Sequence, residues 1–117
     1  MLDLREGEDC IYVTSRFHYE GVFKSDKITG LGRMEYLKEG EGYSGDFFEG
    51  ARHGQGVYEY KNKEFKYEGE WKYGRRSGQG KLISADGNYI YEGEWKKDHP
   101  NGFGKEKFAN GDVYEGI

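Results

Sequence analysis

Apolar and polar residues alternate along much of the chain with a period of two. In residues 67–71, Tyr-Glu-Gly-Glu-Trp, the tyrosine, glycine and tryptophan fall on one face and both glutamates on the other. The same alternation resumes further on, at Gly80, Leu82 and Ser84. No segment shows a 3.6-residue apolar period over a length that would predict a helix. The pattern therefore predicts short strands joined by loops.

The strand pattern repeats along the chain, with spacings of 24, 24, 24 and 23 residues between its opening tyrosines. Each full unit has a tyrosine, a glycine two residues later, an aromatic residue at offset four and two glycines at offsets eleven and thirteen. The aromatic positions are Tyr19, Phe23, Tyr43, Phe47, Tyr67, Trp71, Tyr91, Trp95 and, opening a fifth unit, Tyr114. The glycines are Gly21, Gly30, Gly32, Gly45, Gly54, Gly56, Gly69, Gly78, Gly80, Gly93, Gly102 and Gly104. A fixed period indicates a repeat architecture.

Each unit is predicted to form a strand, a loop of about six residues such as residues 72–77, and a second strand. Asp86-Gly87 and Asn110-Gly111 are strong hairpin-turn signals between units, because both residue types tolerate positive φ. A lone hairpin cannot bury its apolar face, so stacked hairpins are expected. We predict an all-β, elongated, single-layer antiparallel sheet about 45 Å long, with aromatic ladders packed over strand glycines.

The repeat also divides the chain. Residues 1–18 are predicted to be an N-terminal half-unit or a partner-docking segment, with Cys10–Val13 as a second strand. Residues 19–117 form the array, with units starting at 19, 43, 67 and 91 and a partial unit at 114. Repeat arrays normally carry polar caps. Without one, we expect either that the chain is a fragment or that its ends dock on another molecule, including a second copy.

Composition limits the classes of protein to which the chain can belong. With 117 residues, one domain is expected, and an aromatic content of 17% with a net charge of −4 argues against disorder. A pI near 5.4 disfavours nucleic acid as a partner. No apolar run is long enough for a spanning helix, and the first residues do not resemble a secretory signal. The only cysteine, Cys10, excludes an internal disulfide.

Candidate catalytic groups are sparse. His18, His53 and His99 share no repeated spacing with a nucleophile or a carboxylate pair, so solvated histidines are favoured over catalytic or metal-binding ones. Cys10 precedes apolar residues and is better explained as a small packing residue than as a reactive thiol. The paired glycines lack the remainder of a phosphate-binding loop. We therefore expect no catalytic, metal or cofactor site.

Charge is segregated within each unit. Offsets one and three of the first strand are mostly acidic, and the predicted loops are basic. Stacking would align the loops along one edge, whose candidate residues are Arg52, His53, Lys72, Arg75, Arg76, Lys96 and Lys97. This edge is either simply solvated or a docking edge for an acidic protein segment or lipid head groups. The tyrosines outside the motif either pack or contact a partner, and these are Tyr12, Tyr58, Tyr60, Tyr73 and Tyr89.

The repeated residues resemble the MORN repeat family (membrane occupation and recognition nexus) over about residues 19–116. Units three and four match best, whereas Asp26 and Asp98 stand where the family has a mid-loop glycine. The resemblance implies the hairpin-array fold. It is less specific for function, since similar repeats occur in cytoskeletal scaffolds, flagellar spokes, junctional membrane proteins, lipid-kinase regulators and beside a methyltransferase.

The expected function is a non-enzymatic structural scaffold or adaptor. It would bind other proteins of a larger complex, in the cytoplasm and associated with the cytoskeleton or a ciliary or flagellar axoneme. Self-association through uncapped ends is a further expectation. The alternative is a module that binds anionic phospholipid such as phosphoinositide through the basic edge, with weak membrane affinity because no insertion helix accompanies it. A third possibility is an accessory domain of a longer enzyme.

Overall fold

Ten antiparallel strands form one sheet in chain order. The structure, a computed structural model, describes residues 7–117. The strands are β1 (Gly7–Val13), β2 (Phe17–Lys24), β3 (Lys27–Tyr36), β4 (Glu41–Phe48), β5 (Ala51–Glu59), β6 (Phe65–Lys72), β7 (Arg75–Ser84), β8 (Ile90–Lys96), β9 (His99–Lys107) and β10 (Val113–Gly116). The sheet is open and measures 53 × 26 × 19 Å. The predicted all-β, elongated hairpin array is confirmed.

Successive hairpins pair edge to edge. Each unit contributes two strands, and the second strand of one unit pairs with the first strand of the next. At the N-terminal side, β1 pairs with β2 and places Cys10 opposite Gly21. The part of the N-terminal segment from Gly7 onward therefore extends the sheet. The prediction for residues 1–6 lies outside the described residues.

The connections within units are shorter than the sequence predicts. In each, two residues of positive φ join the strands, such as Tyr73 (47°) and Gly74 (86°) between β6 and β7. Two-residue turns of this conformation suit the right-handed twist of paired strands. The prediction of a six-residue loop over residues 72–77 is wrong, because Arg75 and Arg76 already pair with β6.

The connections between units are longer and vary. Gly87 and Gly111 have φ of 75° and 93° in the turns predicted there. Asp86 shapes the first of these, because its carboxylate accepts hydrogen bonds from the Ser84 hydroxyl (2.6 Å) and the Asn88 N–H (2.9 Å). Between β5 and β6 the chain instead makes a single 3₁₀ turn, Lys61–Lys63.

The core is a single layer of side chains on one surface of the sheet, here called the aromatic face. Its buried members are Tyr19, Phe23, Ile28, Met34, Tyr43, Phe47, Tyr58, Tyr67, Trp71, Tyr91 and Trp95. No charged residue within the described part of the chain is buried. The sheet thus stabilises itself by packing rings on its own backbone, and the other surface, the opposite face, carries most of the charges.

Candidate binding site

A line of glycines crosses the sheet at its centre. On successive strands from β2 to β10, each pairs with the next: Gly21, Gly32, Gly45, Gly56, Gly69, Gly80, Gly93, Gly104 and Gly116. A Cβ atom added at Gly80 would overlap the Tyr67 hydroxyl, and a Cβ at Gly69 would lie 2.5 Å from the Gly80 Cα. At Gly116 an added Cβ would meet nothing within 4 Å. The other glycines of the line are required so that a tyrosine ring can pack against the backbone of the paired strands.

A bulge beside this line fixes each tyrosine. Gly69 pairs with Gly80 and Trp71 with Arg76, so three residues of β7 stand opposite one of β6. The Tyr67 hydroxyl donates a hydrogen bond to the Glu70 carbonyl (2.9 Å) at this bulge. The other units repeat this bond, from Tyr19 to Val22, from Tyr43 to Asp46 and from Tyr91 to Glu94, at 2.8, 2.8 and 3.3 Å.

Acidic side chains at offset three support the same bulge. The Glu70 carboxylate accepts a hydrogen bond from the Gln79 N–H (2.6 Å), and Glu94 accepts one from the Phe103 N–H (2.6 Å). Asp46 makes the same contact with Gln55 at 3.3 Å. From the sequence, these acids are predicted only to be a charged stripe along the first strands. Their recurrence at offset three, directly before the aromatic residue, is the signal that could have indicated a structural role.

The aromatic residues form one continuous zigzag through the units. Consecutive rings meet edge to face in the order Tyr19, Phe47, Tyr43, Trp71, Tyr67, Trp95 and Tyr91, with centroids 5.0 to 5.4 Å apart. The indole N–H of Trp71 also donates to the Gly56 carbonyl (3.2 Å), and that of Trp95 to Gly80 (3.1 Å). Each unit is thereby fastened to the preceding one. Tyr114, by contrast, is 66% exposed.

Burial of the tyrosines predicts an alkaline transition. Burial raises the pKa of the Tyr19 and Tyr89 hydroxyls to about 12, whereas tyrosine in an unfolded chain has a pKa of about 10. Because the folded chain holds these protons more tightly, their contribution to stability is complete below about pH 10 and is lost as the pH rises through about 12. We expect the urea midpoint, followed by circular dichroism, to fall steeply across that interval. A urea midpoint that stays constant between about pH 10 and about pH 12 would contradict this prediction.

Two of the candidate edge residues lie on the aromatic face. The Arg52 guanidinium lies 4.8 Å from the ring centroids of Tyr58 and Trp71 and donates to the Gly74 carbonyl at 2.9 Å. The Arg76 guanidinium lies 4.6 Å from the Trp95 ring centroid and donates to both the carboxylate and the carbonyl of Asp98. Both arginines are therefore occupied in joining one unit to the next.

The other cations form a cleft at the turns of units three and four, here called the basic cleft. Its volume is about 450 Å³, and its lining is Lys72, Tyr73, Arg75, Ser77, Lys96 and Lys97. Within residues 7–117, none of its three lysines or its arginine has a carboxylate partner within 4 Å. The structure thus brings together four of the seven predicted edge residues.

The histidines and the cysteine are dispersed. His53 adjoins the basic cleft, where its Nδ1 accepts the Tyr73 N–H (3.1 Å), and its ring lies 4.7 Å from the Tyr73 ring. His18 lies 3.2 Å from Glu20, and His99 pairs with Lys96 at the β8–β9 turn. Cys10 is partly buried at the end of the glycine line. The described residues contain no group of three metal-ligating side chains.

The tyrosines outside the motif differ in exposure. Tyr58 is buried and donates its hydroxyl proton to Glu41 (2.5 Å), and Tyr89 donates to Glu106 (2.7 Å). Tyr12 contacts Phe17 with ring centroids 5.4 Å apart, and Tyr60 contacts Tyr58 at 4.8 Å. Tyr73, at the lip of the basic cleft, is 65% exposed. Among these five, Tyr73 is thus the one whose ring is mostly exposed.

No helix in residues 7–117 is long and apolar enough to cross a membrane. Comparison with curated proteins gives no match. Comparison with protein families matches the MORN repeat over residues 19–36, 43–64, 67–89 and 91–113. The four matches begin at the four tyrosines that open the units, and together they cover most of the chain. The chain therefore belongs to the MORN repeat family.

Proposed function

We propose that the chain is a non-enzymatic scaffold or adaptor that binds other proteins. A MORN repeat domain is generally a protein- or membrane-binding module, and no catalytic family is assigned to this chain. The observation that carries the proposal is the contrast between side chains that are packed within the sheet and side chains that are exposed at the basic cleft. The ladder rings and the two inter-unit arginines are engaged within the sheet, whereas Tyr73 and the cations of the basic cleft remain accessible. An extended sheet that is stabilised by its own side-chain packing and has an accessible edge suits a scaffold or adaptor.

The setting we propose is a larger cytoplasmic assembly of the cytoskeleton or of a ciliary or flagellar axoneme. Two features support a role as a subunit of such an assembly. The sheet is 53 Å long, so several partners could contact it side by side. Its open architecture also presents two broad faces and long edges instead of an enclosed pocket.

Native capture of the full tagged chain tests the scaffold proposal. At moderate salt, we expect a defined set of proteins recovered in fixed ratio to the chain, and their identities would report the compartment. The control is Gly80→Ala, which leaves surface charge unchanged but disrupts the sheet and should lose the set. Recovery of anionic lipid without proteins of fixed stoichiometry would contradict the proposal.

A second proposal is binding to anionic phospholipid, favoured because no carboxylate of residues 7–117 pairs with the cations of the basic cleft. Each lysine or arginine near an anionic bilayer contributes about 1 kcal/mol. Lys72→Glu with Arg75→Glu should therefore reduce sedimentation with phosphatidylcholine vesicles containing phosphoinositide by at least about tenfold. Lys63→Glu with Lys107→Glu is the matched control, since it changes net charge equally at the other edge. Equal loss in both variants would contradict a site at the cleft.

We also propose self-association at β10. This strand pairs with β9 on one side, and all four of its residues are exposed. Exposed strand edges readily pair with another strand unless charge or proline blocks them. Replacing Val113 by proline should reduce a concentration-dependent increase in mass measured by light scattering, without changing the circular dichroism of the sheet. A monomer at every concentration would contradict self-association.

A further inference from the structure

The basic cleft adjoins an aromatic patch. Phe48, His53 and Tyr73 form a row in which the His53 ring lies 5.7 Å from Phe48 and 4.7 Å from Tyr73. Phe48 is 45% exposed and Tyr73 65% exposed. Lys72 and Arg75 close the β6–β7 hairpin as a directly opposed pair, and Lys96 occupies the corresponding place at the end of β8. Cations and accessible rings are thus side by side at one edge.

Tyr73 is placed there by the backbone. Its φ of 47° lies in the left-handed region, which bulky residues seldom adopt. The turn is held by the bond from the Tyr73 N–H to His53 and by the bond from the Gly74 N–H to the Arg52 carbonyl (2.8 Å). The ring is consequently presented from a fixed turn beside the cations, which lowers the entropy cost of binding against it.

The charges at the within-unit turns indicate how large a ligand this edge of the sheet can bind. The turn of unit one also carries two opposed lysines, Lys24 and Lys27, but Asp26 lies between them. The cations of the basic cleft, at the turns of units three and four, have no carboxylate partner within residues 7–117. The turn of unit two carries Glu49, which is paired with Lys27 of unit one at 3.1 Å. A flat bilayer would meet all four turns, whereas a single chain could lie in the recess of about 450 Å³ between two of them. A concave, two-turn site therefore fits a peptide better than a membrane.

We propose that the basic cleft and the Phe48–His53–Tyr73 row form a docking site for an acidic peptide segment of a partner protein. Its carboxylates would lie against Lys72, Arg75, Lys96 and Lys97, and an aromatic side chain among them would stack on Tyr73. The inference rests on the proposed function as a protein-binding module and specifies the chemistry of its partner. The carboxylates of Glu70 and Glu94 do not compete, because they accept backbone hydrogen bonds at the bulges.

The test uses the full chain and a fluorescein-labelled peptide in which a central tyrosine is flanked on both sides by three glutamates. Anisotropy should report saturable binding that weakens as salt is raised, because the contacts are partly exposed. Lys72→Glu with Lys97→Glu should weaken binding at least about tenfold, and the matched Lys63→Glu with Lys107→Glu less than about twofold. Asparagine tolerates the left-handed conformation of this turn. Tyr73→Asn should therefore weaken binding of the tyrosine peptide but not binding of a peptide with glycine at its centre.

Three results would overturn the inference: no binding to the unaltered chain, equal weakening by cleft and control variants, or cleft-dependent binding to phosphatidylserine vesicles without peptide binding. Failure here is separable from failure of the scaffold proposal. If partner proteins are captured equally by the unaltered chain and by Lys72→Glu with Lys97→Glu, the chain binds proteins elsewhere. If the peptide binds but no partner is captured, the scaffold proposal fails while the cleft stands as an acidic-peptide site.

Discussion

Gly80→Ala is expected to destabilise the sheet by about 3 kcal/mol, at the upper end of the usual cost of overpacking. The added Cβ would overlap the Tyr67 hydroxyl, and its other near neighbours are atoms of the same ring. That ring cannot simply rotate away, because its hydroxyl is bonded to the Glu70 carbonyl and it meets Trp71 and Trp95 edge to face. Relief therefore requires the zigzag of rings to move. Urea unfolding followed by tryptophan fluorescence measures the effect.

A double-mutant cycle separates crowding from any general effect of alanine. In a Tyr67→Leu background the overlapping ring atoms are gone, so Gly80→Ala should cost less than about 1 kcal/mol, and the coupling between the two sites should exceed about 2 kcal/mol. Gly87→Ala serves as the comparison in open space. Nothing lies within 4 Å of its added Cβ, so it should show only the strain of a positive φ, roughly 1 kcal/mol. Equal costs for Gly80→Ala in both backgrounds would refute crowding by the ring.

The fold was accessible from sequence because its determinants are local and periodic. Alternation with period two fixes which residues share a face, and the 24-residue period fixes the hairpin as the unit. The bulge was not accessible in the same way. Gly78 and Gly80 look like one more step of the alternation, yet Gly78 has a φ of 81° and lies in the three-residue segment opposite Glu70. Alternation carries no signal for such a change of register.

The candidate site was predicted less well, for a related reason. The sequence pattern predicts a loop over residues 72–77, which places Arg75 and Arg76 together. A two-residue turn instead puts both in β7, where adjacent side chains point to opposite faces. Arg75 then opposes Lys72 at the basic cleft, and Arg76 opposes Trp71 on the aromatic face. The positional equivalents of Arg76 are Ile28, Arg52 and Pro100. Two of these three are not cationic, and this contrast with a basic loop was visible in the sequence.

Because Arg75 and Arg76 lie on opposite faces of the sheet, Arg76→Glu and Arg75→Glu test this arrangement directly. They make the same substitution at adjacent positions. Arg76→Glu is expected to cost about 3 kcal/mol, because an arginine side chain that is only 20% exposed loses its cation–π contact and its charge-assisted hydrogen bonds. It removes the cation over Trp95 and the bonds to Asp98, and it places a carboxylate beside that aspartate. Arg75→Glu lies at an exposed turn and should change the free energy of unfolding by less than about 0.5 kcal/mol.

Arg76→Lys tests the geometry of the contact separately from its charge. Lysine retains the positive charge but not the planar fork that bonds the Asp98 carboxylate and carbonyl while lying over the indole, so an intermediate cost of about 1 to 2 kcal/mol is expected. Urea unfolding, with tryptophan fluorescence reporting on Trp95, gives all three values. Similar costs for Arg75→Glu and Arg76→Glu would mean that the two side chains share one environment, and the two-residue turn with its separation of faces would be wrong.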